Sequence, residues 1–299
     1  MPLTRRDFLF GAIATAPVLQ WSSVREVARD AIAFKVRGPD ADLAAIEHRI
    51  RARLGVSAID TGSGRSVTYR AGERFAMCST FKFLAVAATL QRVDEKLDRL
   101  DRKVAFAEKD LLDYAPVTRS HINQGAMELS ALCSAAIEYS DNTAANLLLE
   151  SLNGPAGVTR FARSIGDNVT RLDRNEPTLN TAIQGDERDT TTPAAMLADM
   201  RTILLGDVLS AASRQLLASW LIANTTGGER LRASVPATWR IGDKTGTGLN
   251  GATGDIAIMW PPNRKPIIVT TYIVESSASL SDRNAAIRDA GSVVLKALD

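Results

Sequence analysis

The sequence places strand patterns at both ends and helix patterns between them, and this order limits the folds that the chain can adopt. Near the start, Val56–Ile59 and Ser66–Tyr69 read as two strands around the glycine-rich turn Thr61–Gly64. Strand character returns only near the end, in three segments: Trp239–Thr245, Asp255–Trp260 and Ile267–Val274. Between the two groups, from about Thr80 to Leu221, apolar residues recur mainly at helical spacings.

Helical periodicity marks eight segments, two of them outside this central region: Leu43–Leu54, Thr80–Val93, Leu129–Tyr139, Thr143–Leu152, Val158–Ile165, Pro193–Leu205, Ala211–Ala223 and Arg283–Leu298. The order predicts an α/β fold of the α+β sandwich type, with an antiparallel sheet built from both chain termini and flanked by helices. We assign about 34–69 and 222–299 to the α/β part, and about 70–221 to an inserted all-helical part. A ligand site is expected in the cleft between them.

The pattern of the first 33 residues indicates an export signal, and we do not expect these residues to be part of the fold. Thr4-Arg5-Arg6-Asp7-Phe8-Leu9-Phe10 resembles a twin-arginine signature, a weakly apolar run follows, and Ala31-Ile32-Ala33 offers a cleavage site. The alternatives are a short membrane anchor or an ordinary helix, but the apolar run is shorter than the roughly 20 residues of a membrane span. We therefore predict a periplasmic or secreted protein that has no stable membrane association after cleavage.

Four short motifs carry residues suited to chemistry. They are Ser79-Thr80-Phe81-Lys82, Ser140-Asp141-Asn142, Glu176-Pro177-Thr178-Leu179-Asn180 and Lys244-Thr245-Gly246. On a helix, residues three apart share a face, so Lys82 should lie beside the Ser79 hydroxyl. Taken alone, each motif also has an ordinary structural interpretation, such as a helix cap, a solvated loop acid or a strand that ends in a turn. Their fixed order and single occurrence favour a common site.

Together these motifs resemble the class A serine β-lactamases of the penicillin-recognising superfamily, and the resemblance spans the chain after the signal segment. It implies that Ser79 is the acylated nucleophile and that Lys82 is its neighbouring cation or its base. It implies that Ser140 passes a proton to the departing lactam nitrogen. The backbone N–H groups of Ser79 and Thr247 would form the oxyanion hole.

For deacylation, the resemblance assigns Glu176 as the base that activates a water, next to Asn180. Whether Lys82 or Glu176 is the base for acylation stays open. It also implies an ion pair between Arg174 and Asp189 across the neck of the Glu176 loop, and a cis peptide bond at Glu176–Pro177. The predicted substrate-binding residues are Asn142, Asn180, Arg230, Lys244, Thr245, Gly246 and Thr247.

Departures from the family pattern concern charge and cysteines. Thr253 stands where one branch has an arginine that holds the substrate carboxylate, and Arg230 matches the arginine that other branches use instead.

Cys78 and Cys133 each lack the partner found in a family disulfide, because Gly248 and Val86, respectively, occupy the positions of those partners. We expect both thiols to be unpaired and buried.

The expected partner is a small β-lactam, with no metal or cofactor, and the protein is expected to be a monomer. A net charge of +2 without a basic block gives no reason to expect nucleic-acid binding. Two other functions share part of the pattern: a penicillin-binding transpeptidase or carboxypeptidase, and a non-hydrolysing β-lactam sensor or wall-binding module. The Glu176-to-Asn180 element favours the hydrolase.

Overall fold

The computed structural model describes residues 38–299, so the predicted signal segment lies outside the described residues. The strands in this range are β1 (Arg53–Asp60), β2 (Ser66–Tyr69), β3 (Phe75–Ala76), β4 (Lys103–Ala105), β5 (Ala126–Glu128), β6 (Thr190–Thr191), β7 (Arg240–Thr247), β8 (Thr253–Trp260) and β9 (Ile267–Val274). Five of them form an antiparallel sheet in the order β2-β1-β9-β8-β7. Because β1 pairs with β9, with Ser57 opposite Thr270, the prediction of a sheet built from both termini is confirmed.

The helices of residues 38–299 cover both faces of this sheet. They are α1 (Pro39–Ile50), α2 (Phe81–Asp94), α3 (Leu129–Glu138), α4 (Asn142–Ser151), α5 (Pro155–Ser164), α6 (Pro193–Leu205), α7 (Ala211–Ile222) and α8 (Leu280–Leu298). Strand β9 is buried along its whole length. Successive side chains of a strand point to opposite faces, so Val269 and Ile273 join the apolar layer of α1 and α8, whereas Ile268 and Tyr272 join the layer on the other side.

Helix α2 runs through the middle of the second layer and carries Lys82 into it. All positions from Phe81 to Leu90 are buried, as expected for a helix that is apolar on every side. Lys82 is the charged residue in this run. Its burial requires polar partners, because an uncompensated charge in a protein interior is strongly unfavourable.

Element boundaries differ from the predicted ones where pairing or turn geometry outweighs local periodicity. Helix α1 ends at Ile50 rather than at Leu54, because Arg51 adopts a left-handed conformation and Arg53 already pairs with Val274. Strand β7 continues to Thr247, two residues beyond the predicted end. The short ladders β3–β6 and β4–β5 were not predicted, since two- and three-residue strands have no readable period. No helix within residues 38–299 is both long and apolar enough to cross a membrane.

Candidate active site

Ser79 lies in the 3₁₀ turn Cys78–Thr80, which leads directly into α2. Cys78 adopts a positive φ of 44°, a conformation that strains a non-glycine residue. Strand β7 passes close to this turn at Gly246, where an added Cβ would lie 2.6 Å from the carbonyl oxygen of Met77. The absence of a side chain at Gly246 therefore allows the end of β7 to lie against the Cys78–Thr80 turn.

Lys82 follows Ser79 by one helical turn, and the predicted contact is confirmed: its Nζ lies 2.9 Å from Ser79 Oγ. The side chain is fully buried, and Nζ also donates to the carbonyl oxygen of Ser140 at 2.8 Å and to Asn142 Oδ1 at 2.7 Å. Glu176 Oε1 lies 3.1 Å away. Burial lowers the pKa of Lys82, and the attraction of Glu176 opposes this shift only in part. The amine therefore loses its proton more readily than an exposed lysine does.

The Ser140-Asp141-Asn142 segment combines a helix cap with a residue of the predicted site. Asp141 caps α4 by accepting a hydrogen bond from the Ala144 N–H, so the cap interpretation holds for this residue. Ser140 adopts a positive φ of 57°, and its Oγ accepts hydrogen bonds from Lys244 Nζ at 3.0 Å and from Lys82 Nζ at 3.3 Å. Burial, together with the positive charge of Lys82, holds the pKa of Lys244 well below its usual value. The Ser140 hydroxyl thus lies between two buried amines.

Glu176 reaches the same site from the irregular segment 167–192. Its carboxylate is buried, and Oε1 accepts a hydrogen bond from Ser79 Oγ at 3.3 Å. The other oxygen, Oε2, accepts from Asn180 Nδ2. The buried Asn180 Oδ1 has no hydrogen-bond partner among residues 38–299, so it can accept a hydrogen bond from a small ligand beside Glu176.

The 167–192 loop is held in place by contacts at its neck and in its middle. Arg174 pairs with the buried Asp189, whose Oδ1 also accepts from the N–H groups of Asp173 and Arg174. The Glu176–Pro177 bond is cis. Both features agree with the sequence prediction. A further clamp was not predicted: the side chain of Asn146, on α4, bonds the backbone N–H and C=O of Glu176 at 2.9 and 3.0 Å.

A cavity of about 460 Å³ opens above these residues. Its lining includes seven of the predicted site residues, which are Ser79, Ser140, Asn142, Asn180, Arg230, Thr245 and Thr247. Tyr114, Thr226 and Leu280 also line it and were not among the predicted site residues. The remaining predicted residues, Lys82, Glu176, Lys244 and Gly246, contact this lining. The structure therefore brings every predicted site residue together.

Arg230 is held rigidly beside the outer end of β7. It is 5 % exposed. Nη1 donates to the carbonyl oxygens of Gly246 and Gly254, both at 2.8 Å, and Nη2 donates to Thr247 Oγ1 at 2.6 Å. Nε donates to Asn284 Oδ1 on α8, a supporting residue that the sequence alone did not indicate. The guanidinium therefore contributes positive charge next to the Thr247 hydroxyl.

The two cysteines, Cys78 and Cys133, are free and buried. Burial, reinforced by the negative charge of Glu176, raises the pKa of the Cys78 thiol to about 12. Burial likewise raises the pKa of Cys133. Since the thiolate is the reactive form of cysteine, both side chains behave as small apolar residues.

Comparison with known proteins places the chain in a family. Residues 39–298 match the model of the "Beta-lactamase enzyme family". The chain is 49% identical over 259 residues to β-lactamase AST-1 of Nocardia asteroides, covering 87% of this chain and 83% of that protein. It is 48% identical over 252 residues to β-lactamase CTX-M-8 of Citrobacter amalonaticus, covering 84% of this chain and 86% of that one.

A solved structure shares the fold as well as the sequence. It is the class A β-lactamase of the last common ancestor of Gram-negative bacteria (GNCA4), with 59% identity and a TM-score of 0.86. The match covers 87% of this chain and 99% of the ancestral one. The fold, the gathered motifs and these relatives agree. This chain therefore belongs to the class A β-lactamases, serine hydrolases that open the β-lactam ring and confer resistance to these antibiotics.

Proposed function

We propose that Ser79 attacks the carbonyl carbon of the β-lactam ring and that a water activated by Glu176 then hydrolyses the acyl-enzyme. The observation that carries the proposal is the position of Ser79 Oγ, 2.9 Å from the Lys82 amine and 3.3 Å from the Glu176 carboxylate. A serine hydroxyl is a poor nucleophile unless a neighbouring group accepts its proton. Here two candidate acceptors lie within hydrogen-bond distance.

Lys82 accepts the Ser79 proton during acylation. It is the nearer of the two groups, and its lowered pKa makes the neutral amine accessible. The oxygen–carbon bond to Ser79 forms, and charge moves onto the lactam oxygen, which the backbone N–H groups of Ser79 and Thr247 stabilise. Support for this oxyanion hole comes from Gly246, which lets the end of β7 lie against the nucleophile turn.

Ser140 completes acylation when the ring carbon–nitrogen bond breaks. The departing nitrogen needs a proton, and Ser140 Oγ supplies it and regains one from Lys82, 3.3 Å away. Lys244, 3.0 Å from the same oxygen, keeps the hydroxyl in a positive field, which favours the negative charge that develops on Oγ. The proton taken from Ser79 thus ends on the ring nitrogen.

Glu176 drives deacylation. The acyl-serine ester is stable until a nucleophile attacks it, and water becomes nucleophilic when a carboxylate accepts its proton. Glu176 Oε1 lies near Ser79, and the unpaired Asn180 Oδ1 offers the water a second acceptor. A transpeptidase passes its acyl group to an amine and a sensor stays acylated, so neither needs an activated water, and the Glu176–Asn180 pair favours the hydrolase over both alternatives.

Substrate binding uses the cavity walls. The carboxylate of a penicillin or cephalosporin lies against Lys244, Thr245, Thr247 and Arg230, and Gly246 gives the close approach of β7. Asn142 contacts the acylamino side chain, because its Oδ1 is bound to Lys82 and its amide hydrogens are left for the ligand. Each of these steps uses only side chains and backbone groups of a single chain, which is consistent with a monomer.

The test of this proposal is the stoichiometry of turnover with a chromogenic cephalosporin. A hydrolase converts many equivalents per enzyme, and the product gains the mass of one water. A transpeptidase or sensor would stop near one equivalent with the drug still attached. Conversion that stops near one equivalent of cephalosporin per enzyme would refute the role of Glu176 in deacylation. A drug adduct on a residue other than Ser79 would refute the assignment of Ser79 as the nucleophile.

We expect Arg230→Ala to lower kcat/KM by about 10- to 100-fold, because it removes the guanidinium that supports the Thr247 hydroxyl and the substrate carboxylate. The loss should appear mainly in KM for substrates that carry the carboxylate. Steady-state kinetics at several salt concentrations measure it. Arg264→Ala, which removes a partly exposed arginine far from the cavity, is the control. An unchanged kcat/KM would leave carboxylate binding to Lys244, Thr245 and Thr247.

Residues 1–33 form a twin-arginine signal peptide, and 34–299 form the catalytic domain with the site between its α/β and helical parts. β-Lactamases are typically secreted or periplasmic.

Replacing Arg5 and Arg6 with lysine should retain active enzyme in the cytoplasm, since the twin-arginine pathway recognises that pair of arginines. Activity in periplasmic and cytoplasmic fractions measures this outcome. Unaltered export would indicate a signal of the general secretory type.

A further inference from the structure

Two buried carboxyl groups meet at the start of the loop that carries Glu176. Asp167 is the first residue of the 167–192 segment and is 8 % exposed, and Asp199 lies on α6, just after that segment, and is 2 % exposed. The two side chains are within hydrogen-bonding contact. The proposed reaction uses neither of them. Two adjacent buried carboxylates would repel each other strongly, so this arrangement requires a proton.

The surrounding donors show which carboxyl holds that proton. Asp167 Oδ1 accepts hydrogen bonds from the N–H groups of Val169 at 2.6 Å and of Thr170 at 3.0 Å. Asp199 Oδ2, in contrast, has no hydrogen-bond donor among residues 38–299. The backbone therefore stabilises Asp167 as an anion, whereas Asp199, which lacks such donors, is the carboxyl suited to carry the proton and to donate it to Asp167.

Other charged and titratable groups near Asp199 leave this proton in place. Arg163 is a nearby cation, but its Nη1 donates to the carbonyl oxygens of Asp167 and Thr170 rather than to either carboxyl. Tyr272, on β9, is buried, and its hydroxyl contacts Thr80 Oγ1 at 3.1 Å. Burial, with the negative charge of Asp167, raises the pKa of Asp199 to about 9. Burial also acts to raise the pKa of Asp167, but the hydrogen bonds from Thr170 and Val169 outweigh it and lower that pKa.

We propose that Asp199 is a positioning residue, whose protonated carboxyl donates to Asp167 and fastens the start of the 167–192 loop to α6, so that Glu176 stays aligned with Ser79. The inference rests on the proposed role of Glu176 in deacylation. The fastening acts through contacts along the loop. Asp167 fixes the turn at Thr170, Thr170 Oγ1 bonds Thr191 Oγ1 at 2.7 Å, and the Arg171 N–H bonds the Thr190 carbonyl at 3.0 Å.

The sign of the pH effect follows from the direction of the pKa shift. A carboxyl whose pKa is raised in the folded protein stabilises the fold while it is protonated. This contribution to the free energy of unfolding declines as the pH rises from the pKa of the group in the unfolded chain towards its pKa in the folded protein. The hydrogen bond itself persists until Asp199 ionises near pH 9. Above that pH the two carboxylates repel, and the loop should loosen.

The experiment measures the deacylation rate and the amide hydrogen exchange of residues 168–176, from about pH 7 to about pH 10, in wild type and three variants. Asp199→Asn keeps a hydrogen-bond donor that does not titrate. It should deacylate like wild type near neutral pH, but without the loss of rate and of loop protection that wild type shows above about pH 9. Asp199→Ala removes the donor and should deacylate on the order of tenfold more slowly at all pH values, with acylation unchanged.

Asp207→Asn removes a fully exposed carboxyl shortly after α6 and should match wild type throughout. An Asp199→Asn variant that keeps the alkaline loss of loop protection would overturn the inference, even if Asp199→Ala does not fold. The exchange measurement does not depend on the role of Glu176. If Glu176 is not the deacylation base, Glu176→Gln will still turn over, and the loop-protection profiles will decide on Asp199 separately.

Discussion

Replacement of Glu176 by glutamine should convert the enzyme into one that reacts once with a penicillin and then stops. Acylation needs Ser79 to lose a proton, and Lys82 Nζ, which lies 2.9 Å from Ser79 Oγ, is kept in this variant. Deacylation needs an activated water, and the amide of the Glu176→Gln variant cannot accept its proton. Loss of a positioned general base slows a step by about 10²- to 10⁴-fold, so the acyl-enzyme should accumulate.

Mass spectrometry of the intact protein should show the added mass of the whole drug for minutes or longer. Ser79→Ala is the matched control, because it keeps Glu176 and Lys82 but has no oxygen to acylate, and it should show no adduct. A Glu176→Gln variant that turns over like wild type would mean that another group activates the water. The hydrolase activity would stand in that case, whereas the proposed mechanism of deacylation would not.

Replacement of Lys82 by methionine should have a comparably large effect on the other half of the reaction. The fully buried amine contacts Ser79, Ser140 and Glu176, so its loss removes the group that we propose takes the Ser79 proton. We expect acylation to slow by about 10²- to 10⁴-fold. Pre-steady-state measurement of acyl-enzyme formation separates this effect from deacylation.

Lys103→Met provides the control for loss of a lysine. Lys103 Nζ also lies 3.1 Å from a glutamate oxygen, that of Glu128, but both side chains are largely exposed. An exposed ion pair contributes little, so activity should not change. In wild type, the lowered pKa of Lys82 predicts an acylation rate that rises with pH as the amine becomes neutral. A Lys82→Met variant that acylates at the wild-type rate would assign that proton transfer to Glu176.

The sequence alone predicted the parts of the site that depend on local geometry. Ser79 and Lys82 are three residues apart, and helical periodicity places them on one face whatever the rest of the chain does. The apolar run of β9 likewise predicted a strand, and the positions of the strand patterns predicted a sheet from both ends. The resemblance carried by the four motifs then extended these local predictions to the whole site.

Boundaries were predicted less well, since they depend on contacts that are distant in the chain. Leu54 continues the apolar spacing of α1, but its segment pairs with β9, near the other end of the chain, and that pairing ends the helix at Ile50. The clamp of Asn146 on the Glu176 backbone and the support of Arg230 by Asn284 are also long-range contacts. A single asparagine forms no periodic pattern in the sequence, so neither of these long-range contacts could be predicted from it.

Tertiary structure alone decided the electrostatic state of the site. Burial lowers the pKa values of Lys82 and Lys244, while Ser140 and Glu176, which arrive from other elements, accept their hydrogen bonds. The meeting of Asp167 with Asp199 has the same origin. The sequence determined which groups are present and which neighbours share a helix or strand face, whereas the dielectric environment and the long-range partners of each group exist only once the chain has folded.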